Sequence, residues 1–335
     1  MNYVGLDVHQ RTSTYCILDA NGKVVKRQTV AGPWRAVVRR LREETGPLRI
    51  CFEASCGYGP LYDELAAFAS QVTMAHPGQL RLIFRAKRKN DRVDARKLAT
   101  LLYLDQVPAA YVPPLDVRHW RELIEFRRRL VNQRTACKNQ IRALLRSAGV
   151  AAVTKLWTRS GQQWLSELEL PSRSQRLRRD LMQERLRHLD QEIRHATSEL
   201  DHIGSRHPGV VLLRTIPGVG ARTAEAVVAY IDRIERFGRT GQVASYFGLV
   251  PSQDASAGTN RLGHITKQGP ATARQYLVEA AWQAVYRCPE ARVRYDRICK
   301  GDPKRRKTAL VATAHWLLRC MTAMLRTGEV WRGAA

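Results

Sequence analysis

Two stretches of this 335-residue chain repeat their apolar residues with the period of a coiled coil, and they constrain the fold more than any other feature. Leu130, Arg134, Cys137, Ile141, Leu144 and Ala148 step by four and three, and Leu186, Leu189, Ile193, Ala196, Leu200 and Ile203 step by three and four. Such spacing keeps one narrow seam on the same side of a long helix and leaves the remainder polar. A helix of that kind cannot bury its seam alone. The two either pack antiparallel as a hairpin within one chain or pair with those of a second copy. Residues 149–171 between them are irregular and carry Trp157 and Trp164. The middle of the chain is therefore a helical spacer, with globular units on both sides.

The sequence before the spacer reads as α/β. Apolar or alternating runs at 2–8, 12–18, 23–30, 48–53 and 72–75 are strands, and 34–44, 60–70 and the residues from Gln79 onward have helical spacing. Asn21-Gly22 predicts a type I′ hairpin turn between the second and third strands. The pattern predicts a mixed sheet with helices packed on it. A Pro-punctuated stretch (VPAAYVPP) follows as a linker. After the spacer, 212–231, 271–286 and 308–325 are helical, with a Gly-rich segment at 252–269. The expected division is 1–106, a linker at 107–115, the spacer at 116–206 and a mostly α unit at 207–335.

Charge decides the partner class. Lys and Arg number 56 against 30 Asp and Glu, a formal net charge of +26 that calls for a large polyanion, DNA or RNA. The basic runs at 87–89, 127–129, 176–179 and 304–307 spread over both globular units and the spacer, which suggests a groove longer than one phosphate. No run of 18 apolar residues appears, so no membrane span is expected, and the N-terminus enters a strand without a basic leader. Seven cysteines without framework or CxxC spacing read as free thiols in a reducing, cytoplasmic compartment rather than as disulfides or a zinc site.

Within this cationic chain four acids stand out. Asp7 lies in the first strand and Glu53 ends a later one; Asp91 and Asp94 are three apart, on one face at the start of a helix. Singly, each could cap a strand or favour a helix N-terminus. Together they could converge only with a cation between them, and Mg²⁺ takes carboxylate oxygens and suits phosphoryl chemistry. Their order along the chain resembles that of ribonuclease H-like, Holliday-junction-resolvase-like nucleases.

Two C-terminal segments add to this. Thr215-Ile216-Pro217-Gly218-Val219-Gly220 resembles a helix-hairpin-helix, in which Pro ends one helix, Gly218 and Gly220 turn the backbone, and N–H groups at the next helix start hold a phosphate without reading sequence. The stretch 247–267 carries the hydroxyls of Ser252 and Ser256 beside Arg261, His264 and Lys267. A serine among cations could attack a phosphodiester; a Gly- and Ser-rich segment can equally be only a loop. Tyr58, Trp157, Trp164 and Trp331 could stack on bases, or pack in cores.

These motifs resemble the DEDD transposases of the insertion-sequence-110 type, the bridge-RNA-guided DNA recombinases. The residues that carry the resemblance are Gly5-Leu6-Asp7-Val8, Glu53 followed by Gly57-Tyr58, and Lys89-Asn90-Asp91-Arg92-Val93-Asp94. To these are added Ile216-Pro217-Gly218-Val219-Gly220, Gly248-Leu249-Val250-Pro251 and Gly263-His264-Ile265-Thr266-Lys267. The resemblance implies a resolvase-like N-terminal domain whose Asp7, Glu53, Asp91 and Asp94 bind Mg²⁺. It also implies a C-terminal domain whose serine forms a phosphoserine link to DNA. Ser256 matches that serine best, although the next residue is Ala257 rather than glycine; Ser252 is the second choice. It implies further a composite site built between protomers of a dimer or tetramer, and a non-coding guide RNA. Lys87, Arg88, Lys89, Arg92, Arg261 and Lys267, with Gly218 and Gly220, are the expected nucleic-acid contacts. The alternatives are a metal-dependent nuclease with water as nucleophile, and a non-catalytic architectural binder that would leave the four ordered acids without a purpose.

Overall fold

The structure is a computed structural model that describes residues 1–54, 57–83, 91–256 and 259–333, without the side chains of 91, 92, 255, 256, 259 and 260. The chain divides into two compact units, Met1–Leu115 and Asp116–Ala335.

The first unit contains β1 (Asn2–Val8), β2 (Thr12–Leu18), β3 (Val24–Ala31), α1 (Trp34–Arg42), β4 (Leu48–Glu53), α2 (Tyr58–Ala66), β5 (Gln71–Ala75), α3 (Pro77–Ile83) and α4 (Asp91–Tyr103). Its sheet has the order β3-β2-β1-β4-β5; β1 to β3 run antiparallel, and β4 and β5 run parallel to β1. The sheet is mixed because β1 to β3 are joined by tight turns, whereas β4 and β5 are reached through α1 and α2. One face buries Val4, Leu6, Ile50 and Phe52 with Val37, Val38 and Leu41 of α1 and Leu61 and Leu65 of α2. The other face receives α4, through Leu98, Leu101 and Leu102 against Cys51 and through Ala95 and Ala99 against Cys16 and Leu18. The expected type I′ turn does not form. Asn21 keeps a negative φ, and the Asp19 carboxylate accepts the N–H groups of Asn21 and Lys23, both at 2.9 Å, so a longer Asp-capped turn replaces it.

The second unit begins with α5 (Leu115–Ser147), α6 (Arg159–Glu167) and α7 (Arg173–Arg206). Both heptad seams are covered inside one chain. Leu130, Cys137 and Ile141 of α5 share a core with Leu186, Leu189, Ile193 and Ala196 of α7. The pair is pinned by Arg134–Asp190 at 3.1 Å and by Arg127 Nε donating to Thr197 Oγ1 at 2.7 Å. The apolar residues of the two seams are thus buried within an intramolecular hairpin. α7 starts on a capping box formed by Ser172 and Gln175. The segment between the helices is less irregular than its sequence suggests. α6 packs Trp164 and Leu165 on the hairpin, and Lys138 and Arg142 lie over the Trp157 ring. Trp157 and Trp164 are therefore packing residues here.

The rest comprises α8 (Pro208–Leu213), α9 (Ala221–Ile231), α10 (Thr240–Tyr246), β6 (Pro251–Ser256), β7 (Thr259–Ile265), α11 (Ala271–Arg287), α12 (Pro289–Cys299) and α13 (Arg306–Thr327). Its core takes in Trp120 and Ile124 of α5 and Leu200 of α7, so the base of the helical hairpin and the C-terminal helices form one body. α13 is long and apolar enough to cross a membrane by length and composition, but Ala314, Leu317, Leu318 and Met321 lie in this core. Six described cysteines are free thiols, five of them buried.

Candidate active site

The placement of the acids follows from the sheet. Alternation along β1 sends Val4 and Leu6 into the α1/α2 core, so Tyr3, Gly5 and Asp7 share the face that meets α4. A side chain at Gly5 is impossible without moving the helix: a Cβ there would lie 2.1 Å from the Ala95 carbonyl oxygen and 2.3 Å from the Ala99 nitrogen. The helix backbone therefore rests on the strand. Tyr3 meets Tyr103 edge-on at 5.3 Å at the other end of α4. Moving along β1 from Tyr3 through Gly5 to Asp7 thus runs back along α4 toward its first turn, which carries Asp91 and Asp94.

Glu53 arrives by register. β1 and β4 pair in parallel with Gly5 opposite Cys51 and Leu6 opposite Phe52, so Asp7 and Glu53 are level on neighbouring strands. Cys51 faces α4, and Glu53, two residues on, faces the same way. Asp7 is mostly withdrawn from solvent, and His9 Nε2 lies 3.4 Å from its Oδ2. Asp94 is partly buried and accepts a hydrogen bond from Lys97 Nζ at 3.3 Å. The backbone thus brings Asp7, Glu53 and the first turn of α4 to one end of the sheet, at the C-terminal ends of β1 and β4. Among the described residues, no group of three or more His, Cys, Asp or Glu is arranged to hold a metal ion. The side chains of Asp91 and Arg92, and all of Lys87, Arg88 and Lys89, lie outside the described residues.

In the second unit the stretch read as a Gly-rich loop is an antiparallel hairpin, β6 with β7. Alternation supports this: Asp254 stands opposite Arg261, a favourable charge pair across the strands. Ser252 Oγ donates to the His264 carbonyl at 3.2 Å, and a Cβ at Gly263 would lie 2.5 Å from that oxygen. Gly263 thus leaves room for the Ser252 hydroxyl, which is turned onto its neighbouring strand. Ser256 pairs with Thr259 at the tip, and its side chain lies outside the described residues. Arg261 and His264 are exposed, and Lys267 adopts a left-handed φ of 55° just beyond the hairpin.

The Thr215–Gly220 turn joins α8 to α9. Gly218 has φ +93°, and a Cβ there would lie 2.5 Å from the Ala284 nitrogen of α11, so conformation and packing both require glycine. Gly220 caps α9, and nothing stands within 4 Å of where its Cβ would be, which leaves the helix start open.

Sequence reasoning passed over two groups. His9, which the motifs do not include, lies against Asp7; its position two residues further along the same chain is the available signal. Glu225, set among alanines in α9, is almost wholly buried and meets Arg222 Nη2 at 2.8 Å; Arg222 also pairs with Asp201 of α7. Burial, opposed in part by Arg222, pushes the Glu225 carboxyl up to about 7. An acid in an otherwise apolar helix was the signal.

Comparison with known proteins finds matches in both parts of the chain. A family model of DEDD transposases of the IS110 kind matches residues 4–149, and the model described as transposase IS116/IS110/IS902 family matches residues 210–297. The chain is 27% identical over 323 residues to a probable family 20 transposase of Pseudomonas aeruginosa, covering 94% of this chain and 93% of that one. It is 26% identical over 287 residues to the transposase for insertion sequence element IS1111A of Coxiella burnetii, covering 83% of this chain and 76% of that one. With one match on the carboxylate-bearing unit and the other on the C-terminal helices, the chain belongs to the IS110 family of transposases, enzymes that move DNA.

Proposed function

We propose that the chain cuts and rejoins DNA at the ends of an insertion sequence through a phosphoserine intermediate, with Mg²⁺ on the acids of the first unit and a guide RNA as a second polyanion. The observation that carries this reading is the strand register that sets Asp7 level with Glu53 beneath the first turn of α4. The mixed five-stranded sheet supports a ribonuclease H-like, resolvase-like first domain, and the open start of α9 behind Gly218 supports a helix-hairpin-helix grip on a DNA backbone.

The donors fit the metal. Asp7, Glu53, Asp91 and Asp94 offer only carboxylate oxygens, the hard ligands that Mg²⁺ prefers. When bound there, the metal neutralises charge on the scissile phosphate. The chain's own groups do the rest. Asp7 and Glu53 hold their positions because the opposite face of their strands is core. Ser256 Oγ bonds to phosphorus as its proton passes to water, the bond from phosphorus to the sugar oxygen breaks, and that oxygen takes up a proton from water and leaves as a hydroxyl. The resulting phosphoserine keeps the bond energy for rejoining. Arg261, His264 and Lys267 offset the negative charge of that transition state. Lys87, Arg88, Lys89 and Arg92, close to Asp91 and Asp94 in sequence, supply contacts to the DNA backbone, and the excess of cations over acids serves DNA and RNA together.

The test is strand cleavage by the full chain on duplexes carrying the element ends, with the RNA transcribed beside the gene. Cleavage should require Mg²⁺, stop in EDTA, and fall at least a thousandfold in Asp7→Asn and Glu53→Gln. Undiminished cleavage in both variants contradicts the reading. Hydrolysed ends without any covalent protein–DNA species favour the nuclease reading, with water as nucleophile.

A further inference from the structure

We propose that the face shared by α12 and α13 holds a backbone phosphate of the DNA between Arg294, His315 and Arg319. The two helices pack antiparallel: Ala291 meets Trp316 near one end, and Tyr295 and Cys299 meet Ala309 and Leu310 near the other. Arg294 lies on α12 between those contacts, and His315 and Arg319 lie one turn apart on α13. All three are cationic or can become so, and two are partly withdrawn from water.

What sets this cluster apart is that no carboxylate among the described residues balances it. The charged groups acting on Arg294 are Arg297 and Arg319, with the Cys320 thiol; those acting on His315 are Arg319 and Arg294; no carboxylate is among them. The Arg294 Nε–H is buried and meets no acceptor among the described residues. The acids of α12 are engaged elsewhere, Asp296 with Arg292 and Glu290 with the Cys288 thiol. The Nε–H groups of Arg118 and Arg128 are also buried without an acceptor among the described residues, but Arg128 has Glu279 beside it, and three further partly buried arginines of the unit are fully engaged. Arg222 sits between Asp201 and Glu225, Arg121 donates to the carbonyls of Ala229 and Tyr230, and Arg274 donates to those of Phe247 and Gln268. Burial with Arg319 and Arg294 close by holds the His315 imidazole below its ordinary pKa. Like charges and an unmet donor, half out of water, are costly until an anion joins them. In an enzyme that handles DNA, the anion is a phosphodiester, bound without regard to sequence. This site rests on DNA binding alone and stands or falls apart from the metal and the serine.

The test uses the full chain in EDTA, so that no cutting intervenes. Affinity for a short duplex DNA is measured across a salt series for wild type, Arg294→Gln, Arg319→Gln and Arg292→Gln. Each of the first two should lose affinity, roughly up to tenfold at 0.1 M salt, and flatten the plot of log K against log salt by about 0.9. Arg292→Gln, already paired and exposed, should change little. In wild type, the His315 ring resonance, assigned with His315→Gln, should titrate at a higher pH with the duplex bound, and also with inorganic phosphate. An unchanged slope in both Arg294→Gln and Arg319→Gln overturns the proposal, as does a His315 midpoint that the duplex leaves unmoved. A midpoint that moves with duplex RNA of the same sequence and not with DNA overturns it too.

Discussion

In the first unit two of the candidate acids, Asp7 and Glu53, ride on strands whose other face is buried among Val4, Leu6, Ile50 and Phe52, whereas in the second unit the candidate serine rides on a two-stranded hairpin whose described residues lie mostly in water. The acids cannot move without moving a core. The serine's strand is held chiefly by its partner and by the turn that follows. The contrast matches two kinds of chemistry. Several like charges must be held at fixed separation to share a cation, so their scaffold has to be stiff. A single hydroxyl has to reach a phosphate, and a short exposed hairpin can present it.

The largest effect expected from this difference is at Gly5. Gly5→Val drives a branched side chain into the α4 backbone and should destabilise the first unit by about 3 kcal/mol or more, with loss of cooperative unfolding by circular dichroism. A variant that melts like the wild type breaks the claim that β1 and α4 fix the acids. By contrast, Ser256→Ala, a loss of one hydroxyl at the tip of a two-stranded hairpin, should abolish strand joining while shifting the melting temperature by no more than about 1 °C.

Next is a pH effect in the second unit, where the buried acid is structural. The folded chain keeps the Glu225 proton up to about pH 7, whereas the unfolded carboxyl loses it near 4.5. The unfolded state therefore sheds its proton first. Stability from this group falls as pH rises from about 4.5 to about 7 and is level above, a loss of roughly 1–3 kcal/mol. Glu225→Gln should remove that slope, as read by urea unfolding at pH 5 and pH 8. A wild type equally stable at both, with the variant unchanged, contradicts it. The smallest expected effect is at Arg134 and Asp190. That partly exposed pair should contribute about 0.2–1 kcal/mol in a double-mutant cycle with Arg134→Ala and Asp190→Ala, which leaves the seam as the main support of the helical hairpin.

Much of this was legible in the residues. Period-2 runs located the five strands of the first sheet, and heptad spacing located α5 and α7, because both depend on which side of an element is buried. Whether the seams met within one chain was not legible, since an intramolecular and an intermolecular partner satisfy the same period. The turn at Asp19 escaped because a side chain took over hydrogen bonds that Asn-Gly normally leaves to the backbone. β6 and β7 escaped because glycine and serine content outweighed a short alternation. In the site, Asp7, Glu53 and the α4 acids stood out as strand-end and helix-start carboxylates. That Asp7, Glu53 and the start of α4 lie at the same end of the sheet, however, depends on Gly5 and on the β1–β4 register, which are long-range facts. The Arg294 cluster was invisible because it is defined by what faces it in space.

The measurement that bears most directly on the central claim is mass-spectrometric mapping of the protein–DNA adduct formed by the full chain with its DNA, RNA and Mg²⁺. The expected result is a nucleotide remnant on Ser256, in the β6–β7 peptide, that is absent in Asp7→Asn and in EDTA. An adduct on Ser252 or outside the hairpin, or efficient cleavage with no adduct, would contradict a serine nucleophile on the exposed hairpin served by acids on a rigid sheet.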